Sequence, residues 1–488
     1  MTDSESARRR TVLRAVGAGV AGLAGAGVAA GANGDDGDGD EPDGGRRRPQ
    51  ATTGRGEGAG AGDGTDDGAW RQFQADAANS GLSAVAGPRS GSVAWTYDTG
   101  EANDSLATPT GTATRAPTES ATVLSSPAVA EGTVYVGSTD DSVHALDIET
   151  GEQEWAAPTG DSVLSSPTVV DGTVYVGSHD ETVYALDADS GEEVWTFDAD
   201  ERVFSSPTSH EGTLYVGSQA GTTYAIDADS GEAAWQTSTG IQVDSTPAVV
   251  DGTVYVGYYR PENAGGMRAL DASDGSQVWD LPTNGAVPCS PAVADGVLYF
   301  GDYAAATYAL DAETGDGVWA RPLADFVLAS PVVHEGSVYF CGYDRNVWSF
   351  TAGRGESGGD VEWSYTTGGG VLSSPAVADG VLYVGSRDRR LHAVDTESGE
   401  DLFTVETGQR VQSSPAVIDG AVLFGSDDSL VYAVTEGGEA PGTPITTATD
   451  TTTGSGPGFG TVAGLAGLGL GALQRLRARG GDADAGED

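Results

Sequence analysis

Arginine and tyrosine side chains gather in a few short segments of an acidic chain, and they are the groups best suited to hold a ligand. The 488 residues carry 24 Lys+Arg against 73 Asp+Glu, a formal net charge of −49, and every basic residue is an arginine. Guanidinium groups make strong hydrogen bonds to anions, and arginine and aromatic residues dominate binding energies. We predict that an anionic or extended partner binds Tyr258, Tyr259, Arg260, Arg268, Tyr303, Tyr343, Arg345, Arg387, Arg389 and Arg390. The alternative is that these arginines only pair with local aspartates.

Groups for catalysis, redox chemistry or metal binding are sparse. The two cysteines, Cys289 and Cys341, are not adjacent, and the five histidines are scattered. Carboxylates alternate with glycine over Asp35–Asp40, but the bidentate glutamate of a calcium loop is missing there. We predict no catalytic, cofactor-binding or metal-binding residue, no cofactor and no enzymatic activity. Two buried thiols and a disulfide both stay open for the cysteines.

Proline recurs at nearly constant spacing, and this repeat must position the binding residues. The intervals are 40, 40, 40, 44, 40, 44 and 40. The prolines are Pro127, Pro167, Pro207, Pro247, Pro291, Pro331, Pro375 and Pro415. A period of about 40 residues is typical of stacked or circular repeat folds.

Each repeat contains the pattern of four short strands. In residues 161–200, alternating β-branched and aromatic residues predict strands near Ser166–Val170, Thr173–Val176, Thr182–Leu186 and Glu193–Phe197. Asp171 and Gly172 form a strong hairpin-turn pair between the first two strands. Four strands per repeat indicate a propeller blade. We therefore predict an all-β fold, an eight-bladed β-propeller of four-stranded antiparallel blades.

A large aromatic residue follows each proline at a fixed distance. It lies 28 residues after the proline, or 32 where a repeat is four residues longer. An indole buries roughly 150–250 Å², so we predict that these residues dock neighbouring blades. They are Trp155, Trp195, Trp235, Trp279, Trp319, Trp363 and, in the seventh repeat, Phe403; Trp95 lies ahead of the first repeat.

The eighth repeat lacks its last strand, and a spare strand lies upstream. The pattern of that repeat stops after Leu430–Val434, whereas Val93–Tyr97 contains the missing tryptophan strand. If this N-terminal strand completes the eighth blade, the ring closes and no open sheet edge remains. We predict this closure, and we expect Trp70 and Phe73 to pack outside the closing strand.

A hydroxyl residue precedes every repeat proline. These positions are expected to form a ring at the mouth of the central channel, where small side chains pack among the converging inner strands. They are Ser126, Ser166, Ser206, Thr246, Ser290, Ser330, Ser374 and Ser414.

The charge balance points to a salt-adapted surface. A net charge of −49 destabilises a compact chain by self-repulsion at ordinary salt, and molar salt screens that repulsion. The composition therefore predicts a halophilic, most plausibly archaeal, source. Nucleic acid is not expected as a partner, because phosphate binding requires clustered basic residues over a wide surface.

The N-terminal residues resemble an export signal. Arg9-Arg10 with Val12-Leu13-Arg14, followed by the apolar stretch Ala15–Ala30, is similar to the twin-arginine signal. This resemblance implies a signal peptide at 1–32 and export of a folded chain. Residues 33–68 are rich in glycine and aspartate and read as a disordered acidic linker before the propeller at 69–437.

The C-terminal residues resemble a sorting signal. A Thr/Gly/Pro stalk is predicted at 438–456, and Pro457-Gly458-Phe459, an apolar run and three arginines follow at 457–488. This order is similar to the PGF-CTERM tail of haloarchaeal surface proteins, which implies tail removal and a C-terminal lipid anchor at the cell surface. A tail retained as a membrane segment is the open alternative.

The repeat itself resembles a known family. Tyr184-Ala185-Leu186-Asp187, then Ser190-Gly191 and Trp195, matches the PQQ-like (pyrrolo-quinoline quinone) propeller repeat. Relatives in that family are the quinoprotein dehydrogenases, which carry adjacent cysteines over the quinone and a calcium ion, and the propeller lipoprotein of the outer-membrane barrel-assembly machinery. Because adjacent cysteines are missing here, we predict a monomeric, non-catalytic protein-binding or scaffolding module for an unknown surface protein or anionic ligand. The alternatives are a PQQ-dependent alcohol or sugar dehydrogenase and a surface polysaccharide-binding protein.

Overall fold

The strands of the chain form eight separate four-stranded sheets. The computed structural model describes residues 69–100 and 121–441. The predicted signal peptide (1–32), acidic linker (33–68), stalk beyond Pro441 and sorting tail (457–488) lie outside the described residues. In the part described, no helix is long and apolar enough to cross a bilayer.

The strands follow one another in a regular order. In the first half of the chain they are β1 (Ser92–Asp98), β2 (Ala128–Ala130), β3 (Thr133–Ser138), β4 (Ser142–Asp147), β5 (Gln153–Pro158), β6 (Thr168–Val170), β7 (Thr173–Gly177), β8 (Thr182–Asp187), β9 (Glu193–Asp198), β10 (Thr208–His210), β11 (Thr213–Gly217), β12 (Thr222–Asp227), β13 (Ala233–Ser238), β14 (Ala248–Val250), β15 (Thr253–Tyr259), β16 (Gly265–Asp271) and β17 (Gln277–Thr283).

The second half continues the pattern. Its strands are β18 (Ala292–Ala294), β19 (Val297–Gly301), β20 (Ala306–Asp311), β21 (Gly317–Pro322), β22 (Val332–His334), β23 (Ser337–Cys341), β24 (Asn346–Thr351), β25 (Val361–Thr366), β26 (Ala376–Ala378), β27 (Val381–Ser386), β28 (Arg390–Asp395), β29 (Asp401–Glu406), β30 (Ala416–Ile418), β31 (Ala421–Gly425) and β32 (Leu430–Thr435). Two short 3-10 turns lie at Pro261–Asn263 and Glu436–Gly438.

Each set of four consecutive strands from β2 to β29 forms one antiparallel sheet, and β30, β31, β32 and β1 form the eighth. The predicted eight-bladed β-propeller is therefore confirmed. Within each blade we number the strands 1 to 4 from the channel outwards. The loops between strands 2 and 3 (the 2–3 loops) and the connections between blades share one face of the ring, which we call the loop face. The hairpin turns between strands 1 and 2 and the turns between strands 3 and 4 (the 3–4 turns) share the opposite face, which we call the turn face.

The predicted strand bounds of the second blade are right to within one residue except for the innermost strand. This strand, β6, begins at Thr168 and not at Ser166. Pro167 has no N–H for a ladder, and the amide of Ser166 instead donates to the Ser206 hydroxyl of the next blade at 2.8 Å.

This interblade bond recurs around the whole ring. The backbone N–H before each repeat proline donates to the hydroxyl at the equivalent position one blade ahead, at 2.8–3.3 Å, and Ser414 donates to Ser126 to complete the circle. The hydroxyl ring predicted at the channel mouth thus has a structural role, because every hydroxyl links two blades.

The tryptophans join neighbouring blades by a second repeated contact. The Trp155 Nε1–H donates to the Ala188 carbonyl of the next blade at 2.9 Å, and the same bond recurs for Trp95, Trp195, Trp235, Trp279 and Trp363. Trp319 is the exception, since its buried Nε1 finds no acceptor where the sixth blade carries an insertion. The indole faces then pack on glycines of the following 3–4 turn.

This packing predicts an unequal cost for two similar substitutions. Gly231 (φ +71°) and Gly212 (φ +76°) both adopt left-handed backbone, but a Cβ on Gly231 meets the Trp195 ring at 2.7 Å, whereas nothing lies within 4 Å at Gly212. Gly212→Ala is expected to cost about 1–2 kcal/mol of unfolding free energy from backbone strain. Gly231→Ala should cost about 1–3 kcal/mol more, because the indole must move. Equal losses in denaturant titrations would contradict the role of this contact.

The N-terminal strand closes the ring as predicted. Strand β1 pairs antiparallel with β32 through six residue pairs, from Ser92 opposite Thr435 to Asp98 opposite Leu430. Trp95 donates its Nε1–H to the Ile148 carbonyl in the first blade at 2.9 Å. Strand β1 therefore completes the eighth blade on one side and contacts the first blade on the other.

The expectation that Trp70 and Phe73 pack outside the closing strand is wrong: both belong to residues 69–88, which form a channel plug. Trp70 is only 2% exposed and pairs with Val129 on the innermost strand of the first blade, far from the outer edge that β1 occupies. Phe73 is half-buried within the same segment. Six inner-strand N–H groups, those of Val129, Val169, Ser209, Val249, Val293 and Val377, donate to oxygens of the plug. The physical reason is that innermost strands have a free edge facing the channel, and the plug supplies acceptors for it.

Candidate functional site

The loop face is built from two concentric sets of residues. In each blade one residue at or just beyond the end of the second strand donates its N–H to a carbonyl in the connection that enters the same blade, as Tyr343 does to Phe326 at 2.9 Å. A loop residue and a connection residue therefore lie side by side in every blade. The loop positions are Thr139, His179, Gln219, Tyr259, Tyr303, Tyr343, Arg387 and Asp427.

Across the fourth to sixth blades, three of these positions and the connection residue Phe326 form a continuous aromatic arc of Tyr259, Tyr303, Phe326 and Tyr343. Consecutive ring centroids are 6.1, 5.6 and 6.3 Å apart. Phe326 is 43% exposed and Tyr343 is 37% exposed. The Arg387 guanidinium lies over the Tyr343 ring, 5.3 Å from its centroid, and donates to its hydroxyl. The arc thus offers apolar surface that ends in a cation.

Four arginines on this face carry unneutralised charge. Within the described residues no carboxylate pairs with Arg260, Arg345, Arg387 or Arg389, which we call the open arginines. Arg390 differs, because it pairs with Glu406 at 2.6 Å. The alternative reading, in which arginines only pair locally, thus describes part of the predicted set.

Tyr258 and Arg268 belong to that part. Tyr258 is buried and donates its hydroxyl to Asp280 at 2.7 Å, and the Arg268 Nε–H donates to the same carboxylate oxygen at 3.0 Å. The Arg268 guanidinium also covers the Tyr258 ring at 4.9 Å. Burial, followed by the hydrogen bond to Asp280, raises the pKa of Tyr258 to about 12. These two residues stabilise the fourth blade and are not part of the exposed surface that could bind a partner.

Sequence reasoning missed the residues that the blade connections contribute. Phe326 joins Tyr303 to Tyr343, Arg202 is exposed in the connection to the third blade, and Arg410 contacts Asp427 at 3.6 Å. All three lie five residues before a repeat proline. Their common position, five residues before a repeat proline, is the sequence signal that identifies them as residues of the same face.

The loop face is polar beside Tyr259, where the aromatic arc begins. The Asp244 carboxylate accepts hydrogen bonds from Gln219 Nε2 at 3.2 Å and Gln242 Nε2 at 2.7 Å. Burial raises the pKa of Asp244 and lowers that of the neighbouring His179. Polar side chains thus flank the Tyr259 end of the arc, and the Arg387 guanidinium lies at its other end.

One loop aspartate gives the fold a measurable pH dependence. Asp302 is fully buried beside Tyr303, and burial raises its pKa to about 6 from 3.8. The native state keeps this proton as pH rises from about 4 to about 6 while the unfolded chain loses it, so stability falls over this interval. The expected loss is on the order of 3 kcal/mol. Asp302→Asn should lack it, and parallel wild-type and variant curves of unfolding free energy against pH would contradict the assignment.

Comparison with known proteins shows the family. The family model described as outer membrane protein assembly factor BamB matches residues 78–206, 179–290, 263–369 and 354–441, and the chain belongs to this family. Among curated proteins, none matches the sequence.

Solved structures share the fold at low sequence identity. BamB from Moraxella catarrhalis is 19% identical over 65% of this chain and 98% of its own, with a TM-score of 0.55. The quinohemoprotein alcohol dehydrogenase from Comamonas testosteroni is 16% identical over 76% of this chain and 81% of its own, with a TM-score of 0.62. The computationally designed Ika8 protein is 16% identical over 64% and 96%, with a TM-score of 0.57. Enzymes and a protein-assembly factor are thus both similar to this chain.

The described residues do not fit a quinone and its metal. The Cys289 thiol is buried and accepts the Gly301 N–H at 3.1 Å, and burial raises its pKa to about 12. Cys341 is a second free, buried thiol in a different core cluster. Among described residues, no three His, Cys, Asp or Glu side chains converge as metal ligands. We therefore derive no redox step, and the arrangement is suited to binding.

Proposed function

We propose that this chain is an exported, surface-anchored propeller of a halophile that works as a non-catalytic scaffold, and that it binds an acidic protein partner through its loop face. The observation that carries this proposal is the set of open arginines beside the aromatic arc. Although the chain has a net charge of −49, these four guanidinium groups form no ion pair with a carboxylate within the described residues. Their charge favours carboxylates, and the exposed rings of Phe326 and Tyr343 favour an apolar contact beside them.

The path of the chain supports this use of the loop face. Strand β32 ends at Thr435 on the turn face, where it faces Ser92. Trp70 runs antiparallel to β2, so the chain also enters the channel from the turn face. The described chain thus passes through the turn face, opposite the arc, both at the start of the plug and at the end of its last strand.

The non-catalytic role is supported by the fate of the reactive groups. The serine hydroxyls before the repeat prolines link neighbouring blades, and the Cys289 thiol binds a backbone amide in the core. These hydroxyls and this thiol thus already make structural contacts.

A matched pair of variants tests the binding surface. Arg345→Gln/Arg389→Gln removes two open arginines, whereas Arg89→Gln/Arg354→Gln removes two arginines that bond the turn-face carbonyls of Asp379 and Gly296. With fluorescent poly-L-glutamate as the probe, the first variant should bind roughly 5- to 30-fold more weakly, at about 0.5–1 kcal/mol for each exposed ion pair. The second should match the wild type, although its net charge changes equally.

Two outcomes would contradict the proposal. Equal losses in both variants would show that net charge, not the loop face, controls binding. Tighter binding of polygalacturonate than of polyglutamate, with the same dependence on Arg345 and Arg389, would favour a polysaccharide partner. A photo-crosslinking residue at Tyr343, compared with one at the exposed outer-strand position Val361, then reports on intact cells whether a protein contacts this face.

A further inference from the structure

The tip of the channel plug contains two buried oxygen atoms that lack a hydrogen-bond donor. Asn79 is 0% exposed and Gln74 is 2% exposed. Within the described residues, neither Asn79 Oδ1 nor Gln74 Oε1 has a partner. An unpaired buried acceptor destabilises the folded state, so both atoms point to a group that the protein chain does not supply.

The orientation of these amides is fixed by their nitrogen atoms. Asn79 Nδ2 donates to the carbonyls of Thr246, Pro247 and Pro291 at 3.1–3.3 Å. Gln74 Nε2 donates to the Pro375 carbonyl at 3.4 Å. A flipped amide would place its oxygen against those carbonyls, which is repulsive. The unpaired atoms are therefore oxygens.

A carboxylate lies between these two residues in the sequence of the plug. Asp76 Oδ1 accepts the N–H groups of Ala78 and Ser80, each at 3.0 Å, and Oδ2 accepts the Ser80 hydroxyl at 2.6 Å. Asp76 has no ion pair with any basic group in the described part of the chain. Within six residues the plug tip thus carries a carboxylate with no basic partner among the described residues and two buried amide oxygens with no hydrogen-bond partner.

We propose that the plug tip binds a monovalent cation, sodium or potassium, inside the central channel. Oxygen donors are what hard cations prefer, and one carboxylate with neutral amide and carbonyl oxygens balances a single positive charge. A water molecule would satisfy the amide oxygens but would leave the Asp76 charge uncompensated. The cation would fasten the plug to the carbonyls of the fourth, fifth and seventh blades.

The dependence of melting temperature on cation identity tests this site. Full-length protein is heated in sodium, potassium or choline chloride at equal ionic strength. Saturating cation is expected to raise the melting temperature by on the order of 5 °C over choline. Asp76→Asn keeps an oxygen that accepts the Ala78 and Ser80 amides but removes the negative charge. Gln74→Met removes the amide oxygen that would bind the cation, at similar side-chain volume. Both variants should therefore lose the cation-specific difference in melting temperature. General effects of salt on the acidic surface should remain in all three proteins.

Equal melting temperatures in the three salts, or a cation-specific difference that persists in both variants, would overturn the site. If a variant fails to fold, the wild type gives a second measurement. Crystals grown in rubidium chloride should show an anomalous peak beside Asn79 and Gln74. If this peak is absent and sodium also fails to raise the melting temperature of the wild type, the proposal is overturned.

Discussion

Deleting residues 92–98 should convert the closed monomer into an aggregating chain. The deletion removes β1, so six residues of β32 lose their β1 partners and the open edge of β32 faces solvent. It also removes Trp95 and its bond to Ile148, which joins the eighth blade to the first. Size-exclusion chromatography with light scattering should show loss of the monomer peak, and any remaining monomer should melt at a lower temperature.

A matched control separates closure from loop shortening. Deleting seven residues at 108–114, outside the described residues, shortens the connection between β1 and β2 but leaves β1 intact. This variant should stay monomeric with nearly unchanged melting. Equal behaviour of the two deletions would refute closure by β1.

Replacing residues 69–88 with a Gly/Ser linker of the same length should leave a folded but much weaker ring. Strand β1 stays in place, but the linker lacks the side chains of Trp70, Gln74 and Asn79 that fix the plug against the inner strands. The plug carbonyls are then no longer held against the six inner-strand N–H groups, and the side-chain acceptor of Gln72 is lost. At a net value of about 0.5–1.5 kcal/mol per hydrogen bond, the loss is roughly 3–9 kcal/mol, which corresponds to a decrease in melting temperature of roughly 10 °C.

Circular dichroism should still report β-structure in this plug variant, because every blade retains its four strands. A Gly/Ser replacement at 101–107, outside the described residues, gives the control for linker insertion. A plug variant that melts within two degrees of the wild type would contradict the role of the plug.

The ring was predictable from sequence because its determinants repeat. Pro127 and its equivalents start each blade, Trp155 and its equivalents join the blades, and the upstream Trp95 revealed the closing strand. A signal repeated eight times is strong even where each copy is weak.

The plug was not predictable, for a physical reason. Residues 69–88 contact mainly backbone groups of the inner strands, and backbone edges leave no mark in the side-chain pattern. Tyr258 was misplaced for another reason. The four-residue insertion of the fourth blade lengthens both strands of the hairpin β15–β16, so Tyr258 falls within a strand and its side chain enters the core. The open arginines were located by type and position, but their lack of carboxylate partners required the structure.

The position of β32 determines how the molecule bears tension. It is the last strand of the chain, yet it is an interior strand, with β31 on one side and β1 on the other. A pull on the chain beyond Thr435 therefore acts along the strand and shears two ladders at once instead of unzipping one. A force applied between the loop face and the C-terminal end would therefore act on the hydrogen bonds of the whole eighth blade before any strand separates.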